Sequence, residues 1–144
     1  MYFELIIDEN QEEKVVVYAK EETELVKAIK ALANGSKELL MGYKNDDFVP
    51  IDLSEVYCFT IEKCKLYAVM EKEKLLLKQR LYQIEGLLGA DFVKINQSSV
   101  ANLKKIDRFS ASLGGSLIVK FKNGYRDYVS RRQVKAVKER MGIK

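Results

Sequence analysis

The 144-residue sequence predicts an α+β fold, mainly β, and three features of its pattern carry that expectation. Short β-rich runs recur along the chain with turn residues between them. Helical spacing of apolar residues is confined to a few stretches. Near the C-terminus the alternating run Leu117 to Lys122 meets Asn123-Gly124, the pair preferred in a type I′ hairpin turn, and Tyr125 to Val129 returns.

Tyr2 to Ile7 and Lys14 to Ala19 read as the first two strands, parted by the polar stretch Asp8 to Glu13. The period then changes. Leu25, Ala28, Ile29 and Leu32 fall at i, i+3, i+4 and i+7, with Glu21, Glu22 and Glu24 in the first turn and Asn34-Gly35 as the stop. Three glutamates so close together resemble paired catalytic carboxylates, but the positive end of a helix accounts for them more simply. Lys37 to Tyr43 and Phe48 to Ile51 make a hairpin across Lys44-Asn45-Asp46-Asp47. Residues 1–52 are therefore expected to form a small βαβ-type segment ahead of a second part, 53–144.

In the second part, Glu55 to Ile61 and Lys65 to Met70 are strands around Glu62-Lys63-Cys64. Apolar residues at 77, 81, 84 and 88 suit one helix from Glu71 to Leu88, yet Glu71-Lys72-Glu73-Lys74 equally suits a hairpin turn. The expectation adopted is the hairpin with a short strand at Leu75 to Leu77, then a helix from Gln79 to Leu88 closed by Gly89. Phe92 to Ile95 is a strand, Asn96 to Ser99 a polar turn and Val100 to Phe109 an irregular return, while Gly114-Gly115 reads as a turn between strands. Ser130 caps a final helix with Val134, Val137 and Met141 on its apolar face.

Composition removes several functions. Histidine is absent, which excludes Ser-His and Cys-His nucleophiles and an imidazole base, and two cysteines, Cys58 and Cys64, leave a zinc shell half empty. Both thiols read as small structural residues in or beside a strand. No catalysis, metal, cofactor or small-molecule substrate is expected. The start Met1-Tyr2-Phe3-Glu4 has no signal-peptide pattern, and the apolar run Val15 to Ala19 is far short of a span, so a cytoplasmic protein is expected.

The net charge of +4 conceals an asymmetry. Residues 1–52 carry twelve acids against six lysines, a balance of −6, and residues 53–144 carry +10. A basic half of this kind points to a polyanionic partner or to a solvated surface. Arg131 and Arg132 open the last helix, where the macrodipole disfavours cations, so they invite an external anion or extend into water. Lys63 with Lys65, and Lys94 with Asn96 and Gln97, lie at strand ends or turns. Asn and Gln side chains bond adenine N6 and N7 together and Arg forks onto guanine, yet Asn, Gln and Ser are also ordinary turn residues. Lys104 and Lys105 read as phosphate or solvent contacts.

The stretch Phe92-Val93-Lys94-Ile95-Asn96-Gln97-Ser98-Ser99-Val100-Ala101-Asn102-Leu103, followed by Ile106, resembles the signature of the LytTR family of DNA-binding domains. Val119 to Gly124 with Tyr128-Val129-Ser130-Arg131-Arg132 resembles the family's second landmark, and Leu81-Tyr82-Gln83-Ile84-Glu85 its preceding helix. The resemblance covers roughly residues 53–143. It implies a mainly β domain that enters successive major grooves of duplex DNA with loops.

By that resemblance Asn96 and Gln97 stand where the family places its groove-reading turn residues, and Lys94 and Ser98 beside them are expected to bind DNA as well. Arg132, beside Arg131, stands where the family contacts a base, and Lys63 to Lys65 fall at the other groove-entering loop. Many relatives have His followed by Arg or Lys where this chain has Asn96 and Gln97, so base preference does not carry over. The chain looks like stand-alone members without a receiver domain, some of which pair with a small membrane protein. The expectation is a homodimeric bacterial transcriptional regulator on promoter repeats in double-stranded DNA, with residues 1–52 for dimerisation or partner binding. The rival is a protein-interaction module whose basic surface docks an acidic partner.

Overall fold

Apolar residues at alternating positions turn the sequence after residue 40 into ten short strands, which pack as two sheets in the computed structural model, where residues 1–33 and 40–143 are described. The chain divides into two units, Met1–Lys37 and Glu38–Lys144.

Among its described residues the first unit holds one helix, α1 (Glu24–Ala33). It starts one residue after Thr23, whose hydroxyl accepts from the Val26 amide at 3.3 Å. The expected strands at Tyr2 to Ile7 and Lys14 to Ala19 do not form; only the Asp8 to Gln11 turn between them is hydrogen-bonded. A ribbon of two strands has a single ladder and needs a third strand or a covering helix to persist. Here Tyr2 and Phe3 are 85% and 87% exposed. The expected helix stop at Asn34-Gly35 and the beginning of the strand from Lys37 lie outside the described residues.

In the second unit a seven-stranded antiparallel sheet is formed by β1 (Met41–Lys44), β2 (Asp47–Pro50), β3 (Cys58–Glu62), β4 (Lys65–Val69), β5 (Lys74–Leu77), β6 (Phe92–Asn96) and β7 (Ser99–Asn102), in the order β2-β1-β5-β4-β3-β7-β6. The hairpin β1–β2 joins it through Tyr43 opposite Leu76, so it belongs with this sheet and not with the N-terminal unit. Glycine is required at Gly42, because a Cβ there would lie 2.7 Å from Leu75 Cβ. The sequence between Val100 and Phe109 is regular where an irregular return was expected: β7 ends in a 3-10 turn at Leu103–Lys105 and β8 (Ile106–Ala111) follows. With β9 (Leu117–Phe121) and β10 (Arg126–Val129), β8 makes the three-stranded sheet β10-β9-β8.

Successive residues of each strand face opposite ways, so the large sheet feeds two cores. Phe59, Leu66, Ala68, Leu75, Leu77 and Val100 pack under α2 (Leu81–Glu85), which is shorter than the expected Gln79 to Leu88 and ends at Gly86. Cys58, Val69, Val93 and Ala101 face the other way, onto Val119, Phe121 and Val129 of the small sheet and Val137 of α3 (Arg131–Met141). Ser130 occupies the N-cap of α3, but its hydroxyl makes no capping bond; its carbonyl accepts from Gln133 and Val134. Met141 is left exposed.

Two turns differ in type from the local expectation. Between β9 and β10, only Gly124 has positive φ (89°), and Phe121 and Tyr125 pair across a three-residue loop. That is a type I turn closed by a left-handed glycine, not type I′. Between β3 and β4, by contrast, Lys63 and Cys64 both adopt positive φ (49° and 64°), the type I′ signature without its favoured residues.

Candidate nucleic-acid interface

Hydrogen bonds between strand ends gather three of the predicted cationic or polar loops at one end of the second unit. The Ile61 amide donates to the Ser98 carbonyl at 2.9 Å, setting the Lys63-Cys64 turn beside Gln97-Ser98. The Ser130 amide donates to the Ile95 carbonyl at 2.8 Å, setting the start of α3 on the other side of the same turn. The loop after β8 reaches this end as well, since Ala111 pairs with Leu117 and Leu117 with Val129. There Gly115 lies beside the Arg131 stem: a Cβ added at Gly115 would come to 3.4 Å from Arg131 Cδ.

Lys63, Lys65, Gln97, Ser98, Arg131 and Arg132 are all exposed at this end. Among the described residues, none of these four cations has a carboxylate within 4.0 Å. Unpaired cations in a row raise the local potential and favour a polyanion. α3 itself is anchored by Val137 in the core and by Arg140, whose guanidinium donates to the Ala90 and Phe92 carbonyls.

Other predicted residues lie elsewhere. Lys94 is on the exposed face of β6, with its ammonium 3.6 Å from Glu85 of α2. Asn96 requires a correction. It is 2% exposed, and its amide donates to Asp127 Oδ1 (3.1 Å) and to the Tyr128 carbonyl (2.9 Å) while its oxygen accepts from the Ser98 amide (2.9 Å). An amide with its bonds already made inside the fold has nothing left to offer a base edge. Asn96 pairs with Ser99 across a two-residue turn, so Gln97 and Ser98 are the residues at its tip. Lys104 and Lys105 sit at the opposite end of β7 from that tip. There Lys104 Nζ is 3.5 Å from Asp91 and Lys105 lies over the Tyr57 ring.

Asp127 escaped sequence reasoning. It accepts from Ser99 Oγ at 2.7 Å and from the Tyr125 hydroxyl at 3.4 Å, besides Asn96. Its signal is parity: Asp127 shares the inward face of β10 with buried Val129, and an inward acid requires donors. Burial first, and then the Asp127 carboxylate, pushes the Tyr125 phenol well above the usual tyrosine range. Burial likewise pushes the Cys58 thiol up, leaving it a packed, protonated core residue.

The two sheets of the second unit can be compared with known proteins. A solved LytTr DNA-binding domain from Bacillus cereus superposes with a TM-score of 0.70 at 21% identity, over 75% of this chain and all of that one. An uncharacterized HTH-type transcriptional regulator of Staphylococcus aureus strain NCTC 8325 is 28% identical across 99% of both chains. Another, from strain MSSA476, is 31% identical over 72% of this chain and 71% of its own length. The model of the LytTr DNA-binding domain matches residues 46–142, which take in the turn tips, strands β2 to β10 and the whole of α3; the chain belongs to the LytTr DNA-binding domain family.

Proposed function

We propose that this protein is a sequence-specific transcriptional regulator that binds duplex DNA with the loops at the basic end of its second unit. The observation that carries the reading is the convergence of Lys63, Lys65, Gln97, Arg131 and Arg132 on one end, each exposed, with no carboxylate beside any of these cations among the described residues. Gln97 and Arg132 would read base edges in the major groove, and the lysines would hold phosphates. A recognition helix of helix-turn-helix type is not supported: α2 and α3 are separated by five strands, and α3 is packed along β6.

The apolar surface of the first unit favours a protein contact in addition. Tyr2, Phe3, Leu5, Ile6, Ile7 and Tyr18 are each exposed by 70% or more. Large apolar side chains left in water at this density mark a surface for protein association. A second copy is the occupant proposed, giving a homodimer on paired promoter sites; a small membrane-protein partner is the alternative. The balance of −6 over residues 1–52 adds that this stretch is not a DNA contact, since it would repel the duplex that the basic end attracts.

Selection of sites from random duplex DNA, followed by titration at several salt concentrations, tests the reading. Four to eight phosphate contacts give a slope of log affinity against log salt of about −4 to −7. Absence of binding at low salt, or a slope near zero, favours an acidic protein as the partner of the basic end.

A further inference from the structure

Asp127 places a negative charge directly behind the basic end. Its Oδ1 accepts from Asn96 Nδ2 (3.1 Å) and from the Tyr128 amide (2.8 Å), and its Oδ2 accepts from Ser99 Oγ (2.7 Å) and the Tyr125 hydroxyl (3.4 Å). Ser99 Oγ is in turn 2.8 Å from Thr60 Oγ1. One carboxylate thereby ties together β3, β6, β7 and β10, and with Asn96 it brackets both feet of the Gln97-Ser98 turn. Asn96 completes the bracket by bonding the Tyr128 carbonyl, two residues before Ser130 at the mouth of α3.

A carboxylate within a Debye length of a bound duplex repels it, so affinity alone would not favour an acid here. Geometry does. The Ser130–Ile95 backbone bond and the packing of α3 along β6 seat the mouth of α3 beside the turn, but neither holds the feet of the Gln97-Ser98 turn to β10. Base readout tolerates about 0.5 Å of displacement, and the bonds of Asn96 and Asp127 supply that tie between the two feet and β10. We propose that Asp127 is a positioning residue that locks the Gln97-Ser98 turn in register with Arg131 and Arg132, so that its contribution is to discrimination between DNA sequences and not to affinity for DNA. The proposal rests on the DNA-binding reading above.

The test uses the full chain and two duplexes, one selected by the wild-type protein and one scrambled, with thermal unfolding recorded for every variant. Asp127→Ala removes all four acceptor bonds. It should lower the ratio of selected to scrambled affinity by about 10-fold, the scale of one good bidentate base contact, while affinity for scrambled DNA holds or rises as a negative charge is lost. Asp127→Asn keeps an oxygen for Asn96 and the Tyr128 amide and presents an amide to Ser99, so it should hold the ratio within about 2-fold of wild type. Ser99→Ala, a small change that leaves the Asn96 link in place, should lower the ratio by an intermediate factor and serves if Asp127→Ala does not fold. A folded Asp127→Ala or Ser99→Ala protein with the wild-type ratio overturns the proposal, as does an equal loss for both DNAs or an equal loss in Asp127→Asn. If the wild-type protein itself prefers no duplex, it is the DNA-binding reading that fails.

Discussion

The turn between β3 and β4 is built from residues that do not favour it, and separating its two positions gives a prediction with opposite signs for stability and binding. Lys63 and Cys64 both stand at positive φ, where a side chain costs about 1 kcal/mol or more relative to glycine, offset in part by the greater freedom glycine has in the unfolded chain. Cys64 is exposed, so its replacement disturbs no packing. Cys64→Gly should therefore stabilise the second unit by about 1 kcal/mol, a rise in Tm of about 4 to 8 °C in a small domain, with DNA affinity unchanged. Lys63→Asn puts a residue that tolerates the left-handed region at the other position, so stability should hold or rise. It also removes one cation from the basic end, and the salt slope should become shallower by about 0.9. Differential scanning calorimetry and fluorescence titration against a selected duplex read the two effects. Cys64→Gly without a rise in Tm refutes the account of strain, and Lys63→Asn with an undiminished salt slope removes Lys63 from the interface.

What the sequence made legible was local. Strand boundaries around Asn123-Gly124 and the hairpin that ends at Leu77 follow from alternation and turn residues a few positions apart, and both are found within a residue or two. The basic end was legible for the same reason, since Lys63, Gln97 and Arg132 stand at turn tips or a helix start. What failed was non-local. Whether Asn96 faces a base or the interior depends on Asp127, thirty-one positions away, and neither residue's surroundings reveal the pairing. Tyr2 to Ile7 and Lys14 to Ala19 have strand composition, but a strand exists only with a partner, and within the first unit they have no third strand to complete a sheet. For Lys104 and Lys105 topology favours solvent over phosphate: seven and eight positions beyond Gln97, the length of β7 has carried the chain to the opposite end of that strand.

Three further outcomes test separate parts of the molecule. Arg132→Ala should cost the selected duplex about 1 to 3 kcal/mol more than a scrambled one, whereas Lys104→Ala, paired with Asp91 at the far end, should change neither affinity in the same titration. Removal of residues 1–37 should leave a protein with the unfolding transition of the second unit and a monomer mass by sedimentation equilibrium; a truncated chain that still dimerises and binds paired sites cooperatively rules out the first unit as the dimer contact. The last outcome concerns alkaline pH. Burial and the Asp127 carboxylate keep the Tyr125 phenol protonated in the fold well beyond the tyrosine value of 10.0. The unfolded chain has no such restraint, so above pH 10 it releases the Tyr125 proton while the native protein retains it. The unfolded state then binds fewer protons than the native state, and stability must fall as pH rises. The contribution is complete below pH 10 and is lost progressively above it. Tyr125→Phe removes the titrating hydroxyl and only one long bond to Asp127, at 3.4 Å. Urea unfolding between pH 9 and about pH 11 should therefore show a shallower loss of stability in Tyr125→Phe than in the wild type, and parallel curves would mean that the phenol ionises as readily in the fold as in the unfolded chain.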